Sequence, residues 1–179
     1  LSRVRIVGGQ WRSRLLPVAR LPGLRPTPDR VRETLFNWLG QDLHGWHCLD
    51  LFAGTGVLGF EAASRGAARV TLVERDARAV AALRESARIL GAEQVEVVRA
   101  DAVEFARSAS GGFDLVFLDP PYRQGLLERI EPELERLVAP DGWLYAESEQ
   151  PLTRLGHLQT VREGRAGQVR FHLMRGSSE

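Results

Sequence analysis

The sequence predicts one α/β domain built on a doubly wound, mostly parallel sheet. Three observations lead there. From His47 onward, strand-like and helix-like segments alternate strictly, as a parallel sheet with crossover helices requires. Runs such as Leu115-Val116-Phe117-Leu118 are apolar without a break, which suits strands covered on both faces. A glycine-bearing turn joins the first of these strands to a helix, at the edge where such sheets hold ligands. The 179 residues suffice for a full core, and 44% hydrophobic with 26% charged residues describes a globular chain.

Residues 4–7 (VRIV) and 14–18 (RLLPV), separated by Gly8-Gly9, read as a β-hairpin. Pro22, Pro26 and Pro28 make 20–28 an extended connector. Val31, Leu35, Trp38 and Leu39 fall at helical spacing behind Pro28 and Asp29, so 29–39 is a helix. Strands follow at 47–51, 69–74, 94–98, 113–118 and 142–147, with helices at 57–66, 76–90, 101–108 and 125–138. Segments 157–163 and 168–174, around Gly164 and Gly167, close the sheet as an antiparallel pair. The chain thus divides into an arm and connector (1–28) and an α/β domain (29–179). Trp38, Trp46 and Trp143 read as packing in or beside the core, and the acidic stretch 128–135 as a solvated helix face.

The net charge of +1 conceals a segregation. Residues 1–32 hold eight arginines and one acid, a balance of +7, and the remainder balances at −6. All 24 basic residues are arginine, a bias that codon usage alone can produce. A basic arm on an acidic body, in contrast, is the footprint of a phosphate-binding extension. Arginine grips phosphate bidentately and stacks on bases. Arg5, Arg12 and Arg14 are therefore expected on nucleic-acid phosphates, and Trp11 either stacks on a base or packs the hairpin. Arg25 and Thr27 are compatible with RNA or with the rim of a cofactor pocket.

No apolar stretch approaches the roughly 20 residues of a membrane span, and no apolar segment follows the arginine-rich start as a secretory leader would need. A single cysteine, Cys48, excludes an internal disulfide and a cysteine-built metal site. His44, His47, His157 and His172 lack metal-ligand spacing, so no metal is expected. The expected setting is cytoplasmic, without a membrane partner.

Asp50-Leu51-Phe52-Ala53-Gly54-Thr55-Gly56-Val57-Leu58-Gly59 carries the G-x-G-x-x-G spacing, and Glu74 ends the next strand twenty residues beyond Gly54. Glycines let backbone approach a ligand closely, and a strand-end carboxylate takes two ribose hydroxyls. A nucleoside-containing cofactor is expected. Asp50, just before the turn, attracts the ammonium of a methionyl group but would gain nothing from a pyrophosphate. Asp101 is placed to accept from an adenine amine. These details favour S-adenosylmethionine over a nicotinamide dinucleotide.

Asp119-Pro120-Pro121-Tyr122 ends the apolar strand 113–118. The prolines fix φ and lack N–H groups, so the carbonyls around them hold a set direction. Asp119 adds a carboxylate and Tyr122 a flat face. Together they can accept hydrogens from a ring amine while stacking on that ring.

These residues resemble the motifs of class I S-adenosylmethionine-dependent methyltransferases. With RIVGGQWRSRLL at the start and RPTPDRVRETLFNWL at 25–39, the chain is similar to the bacterial 16S rRNA guanine-N2 methyltransferases that modify guanine 966. The resemblance runs from about Arg3 to Met174. It implies a Rossmann-like sheet of seven strands with the last strand antiparallel. It implies S-adenosylmethionine held by Asp50, Phe52, Ala53, Gly54, Thr55 and Gly56, by Glu74 with Arg75, and by Asp101 with Ala102. Asp119, Pro120, Pro121 and Tyr122 would receive the target guanine, with Asp119 also bordering the cofactor. The implied substrate is 16S rRNA in the small ribosomal subunit or an assembly intermediate, and the chain would act as a monomer.

Three other readings compete. An adenine-N6 methyltransferase acting on DNA or RNA uses the same tetrapeptide. An NAD(P)-dependent oxidoreductase is disfavoured by Asp50 and by the lack of a hydride-transfer partner. A non-catalytic RNA-binding module would have no use for the Asp119 carboxylate.

Overall fold

The computed structural model describes residues 3–121 and 124–176. Tyr122 therefore lies outside the described residues. Two short strands, β1 (Arg3–Arg5) and β2 (Leu15–Pro17), pair antiparallel as the arm's hairpin. After the proline connector comes α1 (Asp29–Leu39). The alternating body follows: β3 (His47–Asp50), α2 (Val57–Ser64), β4 (Arg69–Glu74), α3 (Ala77–Leu90), β5 (Val95–Arg99), α4 (Ala102–Ser108) and β6 (Phe113–Leu118). Beyond these lie α5 (Leu126–Ile130), α6 (Leu134–Leu137), β7 (Val138–Ser148), β8 (Arg154–Leu155), β9 (Leu158–Ala166) and β10 (Val169–Gly176).

The body's strands form one sheet in the order β5-β4-β3-β6-β7-β10-β9-β8. Strands β5 through β7 are mutually parallel, and β10 runs antiparallel to both its neighbours. The seven expected strands are present. An eighth, the two-residue β8, pairs with β9 at the edge. Strand order reverses at β3, which has β4 on one side and β6 on the other. That switch point opens a crevice beyond the strand ends.

Side-chain alternation divides the core between the two faces. Cys48 and Phe117 pack with α1, α2, α3 and the arm, whereas Leu49, Val116 and Leu118 pack with α4, α5 and α6. The expected 125–138 helix is instead two short helices around a 3₁₀ turn at Glu131–Glu133. Pro132 is the physical reason, because it cannot donate back along a helix and its ring crowds the preceding turn. Strand β7 also begins four residues before the expected 142, at Val138, with an irregular register opposite Phe113 and Leu115.

All eight residues of α2 are buried, because it lies between the sheet and the arm. At Gly59 a Cβ would fall 2.2 Å from a Leu72 methyl, so the third glycine of the motif serves helix–strand packing. From the arm, Ile6 and Leu16 are fully buried and share the core of Leu35 and Phe60. Trp11, 6% exposed, belongs to this core and takes the packing alternative; it is not available to stack on a base.

Polar groups fasten the arm as well. Glu61, on α2, accepts from the Val7 and Gly8 N–H groups and pairs with Arg32 at 2.6 Å and Arg65 at 3.2 Å. The same Arg32 guanidinium donates to the carbonyls of Arg5 and Thr27 and to Asp29. At Gly9, a Cβ would lie 2.1 Å from the Ser64 carbonyl oxygen, so only glycine lets the turn approach α2 so closely.

Candidate active site

Beyond the carboxyl ends of β3, β4 and β6 lies a cleft of ≈ 740 Å³. The connector forms one wall through Gly23 to Pro28, and β7 and β10 contribute Glu147 and Phe171. The 50–55 residues, Glu74, Arg75, Asp101, Ala102, Asp119, Pro120 and Pro121 all face it, as do Arg25 and Thr27. Among the sequence-derived cofactor residues, Gly56 does not line the cleft. It caps α2 in the left-handed conformation (φ 79°) and aims that helix. Arg5, Trp11, Arg12 and Arg14 lie elsewhere, on the arm.

Local hydrogen bonds set the cleft floor. The Glu74 carboxylate accepts from the Gly54 N–H at 3.1 Å and the Asp76 N–H at 2.8 Å, which ties the glycine loop to the end of β4. Asp50 accepts from the Phe52 N–H at 3.2 Å. Asp101 caps α4 by accepting from the Glu104 N–H at 3.0 Å. An ionised carboxylate has about four acceptor sites, so each of these acids retains capacity for a ligand.

Five acids, Asp50, Glu74, Asp101, Asp119 and Glu147, face this one cleft, and three exposed arginines, Arg25, Arg75 and Arg129, line it beside them. Burial pushes the Asp50 carboxyl up to about 7. The Phe52 N–H opposes that shift, while Glu74 and Glu147 reinforce it. Asp119 is held well above the ordinary carboxylate range, first by burial and then by Glu147, to which it hydrogen-bonds, with Asp50 adding to both. An acid floor of this kind favours a cationic ligand. Among the described residues, no group of three or more His, Cys, Asp or Glu is arranged to hold a metal ion, and no helix is long and apolar enough to cross a membrane.

The family model described as "Conserved hypothetical protein 95" matches residues 4–175. The chain is 45% identical to "Ribosomal RNA small subunit methyltransferase D" of Escherichia coli (strain K12), covering 96% of this chain and 89% of that protein. The protein of the same name from Haemophilus influenzae is 41% identical, covering 96% and 93%. A solved structure, "Putative methyltransferase yhhF from Escherichia coli", superposes with a TM-score of 0.88 at 45% identity, over 99% of this chain and 100% of that one.

The chain belongs to the ribosomal RNA small subunit methyltransferase D family. Its family makes S-adenosylmethionine the ligand against which the cleft is tested, and the residues fit. Asp50 offers a buried carboxylate to an ammonium, Glu74 a strand-end acid to hydroxyls, and Asp101 an acceptor to an amine. The acid floor suits a sulfonium.

Glu147 is the residue that sequence reasoning missed. It is the penultimate residue of β7, 8% exposed, and its carboxyl meets Asp119 across the cleft floor. In the sequence it stands in Glu147-Ser148-Glu149 without a motif. Only the pairing of β6 with β7, in register at Leu118 and Ala146, brings it beside Asp119.

Proposed function

We propose that this chain transfers a methyl group from S-adenosylmethionine to the exocyclic N2 of guanine 966 in 16S rRNA of the small ribosomal subunit or its assembly intermediate. The observation that carries the reading is Asp119, a strand-end carboxyl followed by two prolines, on the floor of an acidic cleft with room for both a nucleoside cofactor and a base. The family name shared with rRNA methyltransferases supports the substrate class.

S-adenosylmethionine, when bound, supplies an electrophilic methyl group on a sulfonium. Asp50 holds the ammonium end, Glu74 the ribose hydroxyls with Arg75 beside it, and Asp101 with Ala102 the adenine. Residues 50–55 line the cleft in which the cofactor would lie.

Guanine N2 is a weak nucleophile because its lone pair is delocalised into the ring. Hydrogen bonds from its two N–H groups to Asp119 and the Pro120 carbonyl pull the nitrogen toward tetrahedral geometry and free the lone pair. On taking the methyl group, N2 would lose one proton, to the Asp119 carboxylate or to solvent. Positioning and fixed acceptors account for most of the acceleration. The base enters unpaired or flipped, and Tyr122, outside the described residues, is the sequence's candidate to stack on it. The 1–28 arm holds RNA phosphates through Arg5, Arg12 and Arg14, and Arg25 and Thr27 form the rim where cofactor and RNA meet.

The test is transfer of tritiated methyl to small subunits lacking the modification, followed by nucleoside analysis. Label in N2-methylguanosine at one position is expected. Label in N6-methyladenosine would leave fold and cofactor standing and overturn the target base. Asp119→Ala is expected to bind S-adenosylmethionine normally and to lose at least 100-fold in turnover, roughly the effect of removing one aimed polar group. Full turnover in that variant would refute the assignment.

A further inference from the structure

Glu147 is held in place by a buried neighbour on its own strand. The Tyr145 hydroxyl donates to its Oε1. Tyr145 is itself fully buried, with Phe117 edge-on at 6.0 Å and Phe171 at 6.5 Å between ring centroids. The preceding residue is pinned from the other side. His172, fully buried, has its Nδ1 3.0 Å from the Ala146 carbonyl oxygen, and the Leu152 N–H donates to its Nε2. With Nε2 accepting, the proton sits on Nδ1 and donates to Ala146. A glutamate fixed this way, facing a cleft and touching Asp119, is placed to meet the substrate.

The neighbouring atom decides what it reads. Beside the exocyclic amine of guanine stands N1–H, a donor. Beside the amines of adenine and cytosine stands a ring nitrogen with a lone pair, an acceptor. A carboxylate accepts and cannot donate. Asp119 and Glu147 each stand one residue beyond the paired Leu118 and Ala146, on strands about 5 Å apart, and both line the cleft, so their carboxyls can reach adjacent N–H groups on one purine edge. We propose that Glu147 is the residue that selects guanine, accepting its N1–H while Asp119 accepts from N2. This rests on the reading of guanine N2 as the target. It explains how a tetrapeptide equally suited to adenine can be confined to guanine: a second fixed acceptor repels the adenine N1 lone pair, a penalty of the kind that makes polar sites discriminate strongly.

The experiment uses the full chain and small subunits assembled with guanine or 2-aminopurine at the target position. 2-Aminopurine keeps the C2 amine but presents a bare N1. The wild-type protein is expected to prefer guanine in kcat/KM by about 10- to 100-fold, the worth of one hydrogen bond to a charged group. In Glu147→Gln the side-chain amide can turn its NH₂ toward a bare N1, and the preference is expected to fall close to unity. Equilibrium binding of the same subunits with S-adenosylhomocysteine present should show the same collapse without turnover. S-adenosylmethionine binding by the variant establishes that it is folded. An unchanged preference in Glu147→Gln overturns the proposal. So does a wild-type protein that accepts both bases equally, whatever the variant does. Label found in N6-methyladenosine overturns the guanine reading itself, whereas N2-methylguanosine with an unchanged preference removes only the role of Glu147.

Discussion

Asp50 shows what a buried acid costs and what it provides. Its carboxyl titrates near 7 in the free protein against an ordinary value of 3.8, so the folded state keeps a proton that the unfolded chain has released. For an acid raised in this direction the associated stability is full below about pH 4 and is lost as pH climbs to about 7. By the size of the shift the loss reaches at most about 4 kcal/mol. An arriving ammonium reverses the balance by favouring the ionised form. Two expectations follow for Asp50→Asn. Above pH 7 the free variant should melt at a higher temperature than wild type, and the difference should vanish near pH 4. S-adenosylmethionine should bind more weakly to the variant at pH 8, whereas wild-type affinity should drop as pH falls from 8 to 5.5. Melting curves and titration calorimetry at those pH values check both, and a variant with wild-type affinity at pH 8 removes Asp50 from the ammonium. Asp50 and Asp119 were legible because each stands at a strand end, at a fixed offset from glycines or prolines that mark the turn beyond it. Glu147 was not, since its meaning comes from a neighbouring strand.

At the scale of elements, alternation and apolar runs made the parallel strands readable, because burial on both faces leaves a continuous signal. The broken helix at 125–138 was readable in principle, as Pro132 was in view, but the flanking apolar spacing outweighed it. Strand β8 has two residues and no pattern to find. The ionic link between arm and body is a different kind of omission. Arg32 and Glu61 lie 29 residues apart, both fully buried, and local sequence cannot announce such a partnership. Their link matters because α2, which Glu61 sits on, begins at the glycine loop. Arg32 thereby ties the arm, through Arg5, and the connector, through Thr27, to the helix that follows the glycine loop. Glu61→Ala would leave the buried Arg65 without its ion pair and the buried Arg32 with Asp29 as its remaining one. The expected loss is about 3–5 kcal/mol of stability. Limited proteolysis should then cut within the 20–28 connector under conditions where wild type resists. Resistance equal to wild type would mean that the apolar contacts of Ile6, Trp11 and Leu16 hold the arm unaided.

The whole molecule separates two electrostatic tasks. Acids gather on the cleft floor, while seven of the eight arginines in residues 1–32 are exposed, Arg32 being the buried exception. The hairpin turn does not rim the cleft. It packs beside Ser64 at the end of α2, and Arg14 donates to the Ile89 carbonyl near the end of α3. These helix ends point away from the strand carboxyl termini, and α3 with its 14 residues spans about 20 Å. Arg12 and Arg14 can therefore grip RNA only well away from the target base, while Arg25 stands at the cleft. That geometry fits a folded RNA surface, as in an assembled subunit, better than one extended strand threaded into the cleft. Replacing Arg5, Arg12 and Arg14 together by alanine should weaken subunit binding. If each neutralises one phosphate, the slope of log affinity against log salt should become shallower by about 2 to 3. The turnover number on saturating subunits should stay near wild type, because none of the three reaches the reacting atoms. An unchanged salt slope would show that the exposed charge on the arm faces solvent and that the RNA is held by the connector and the cleft rim alone.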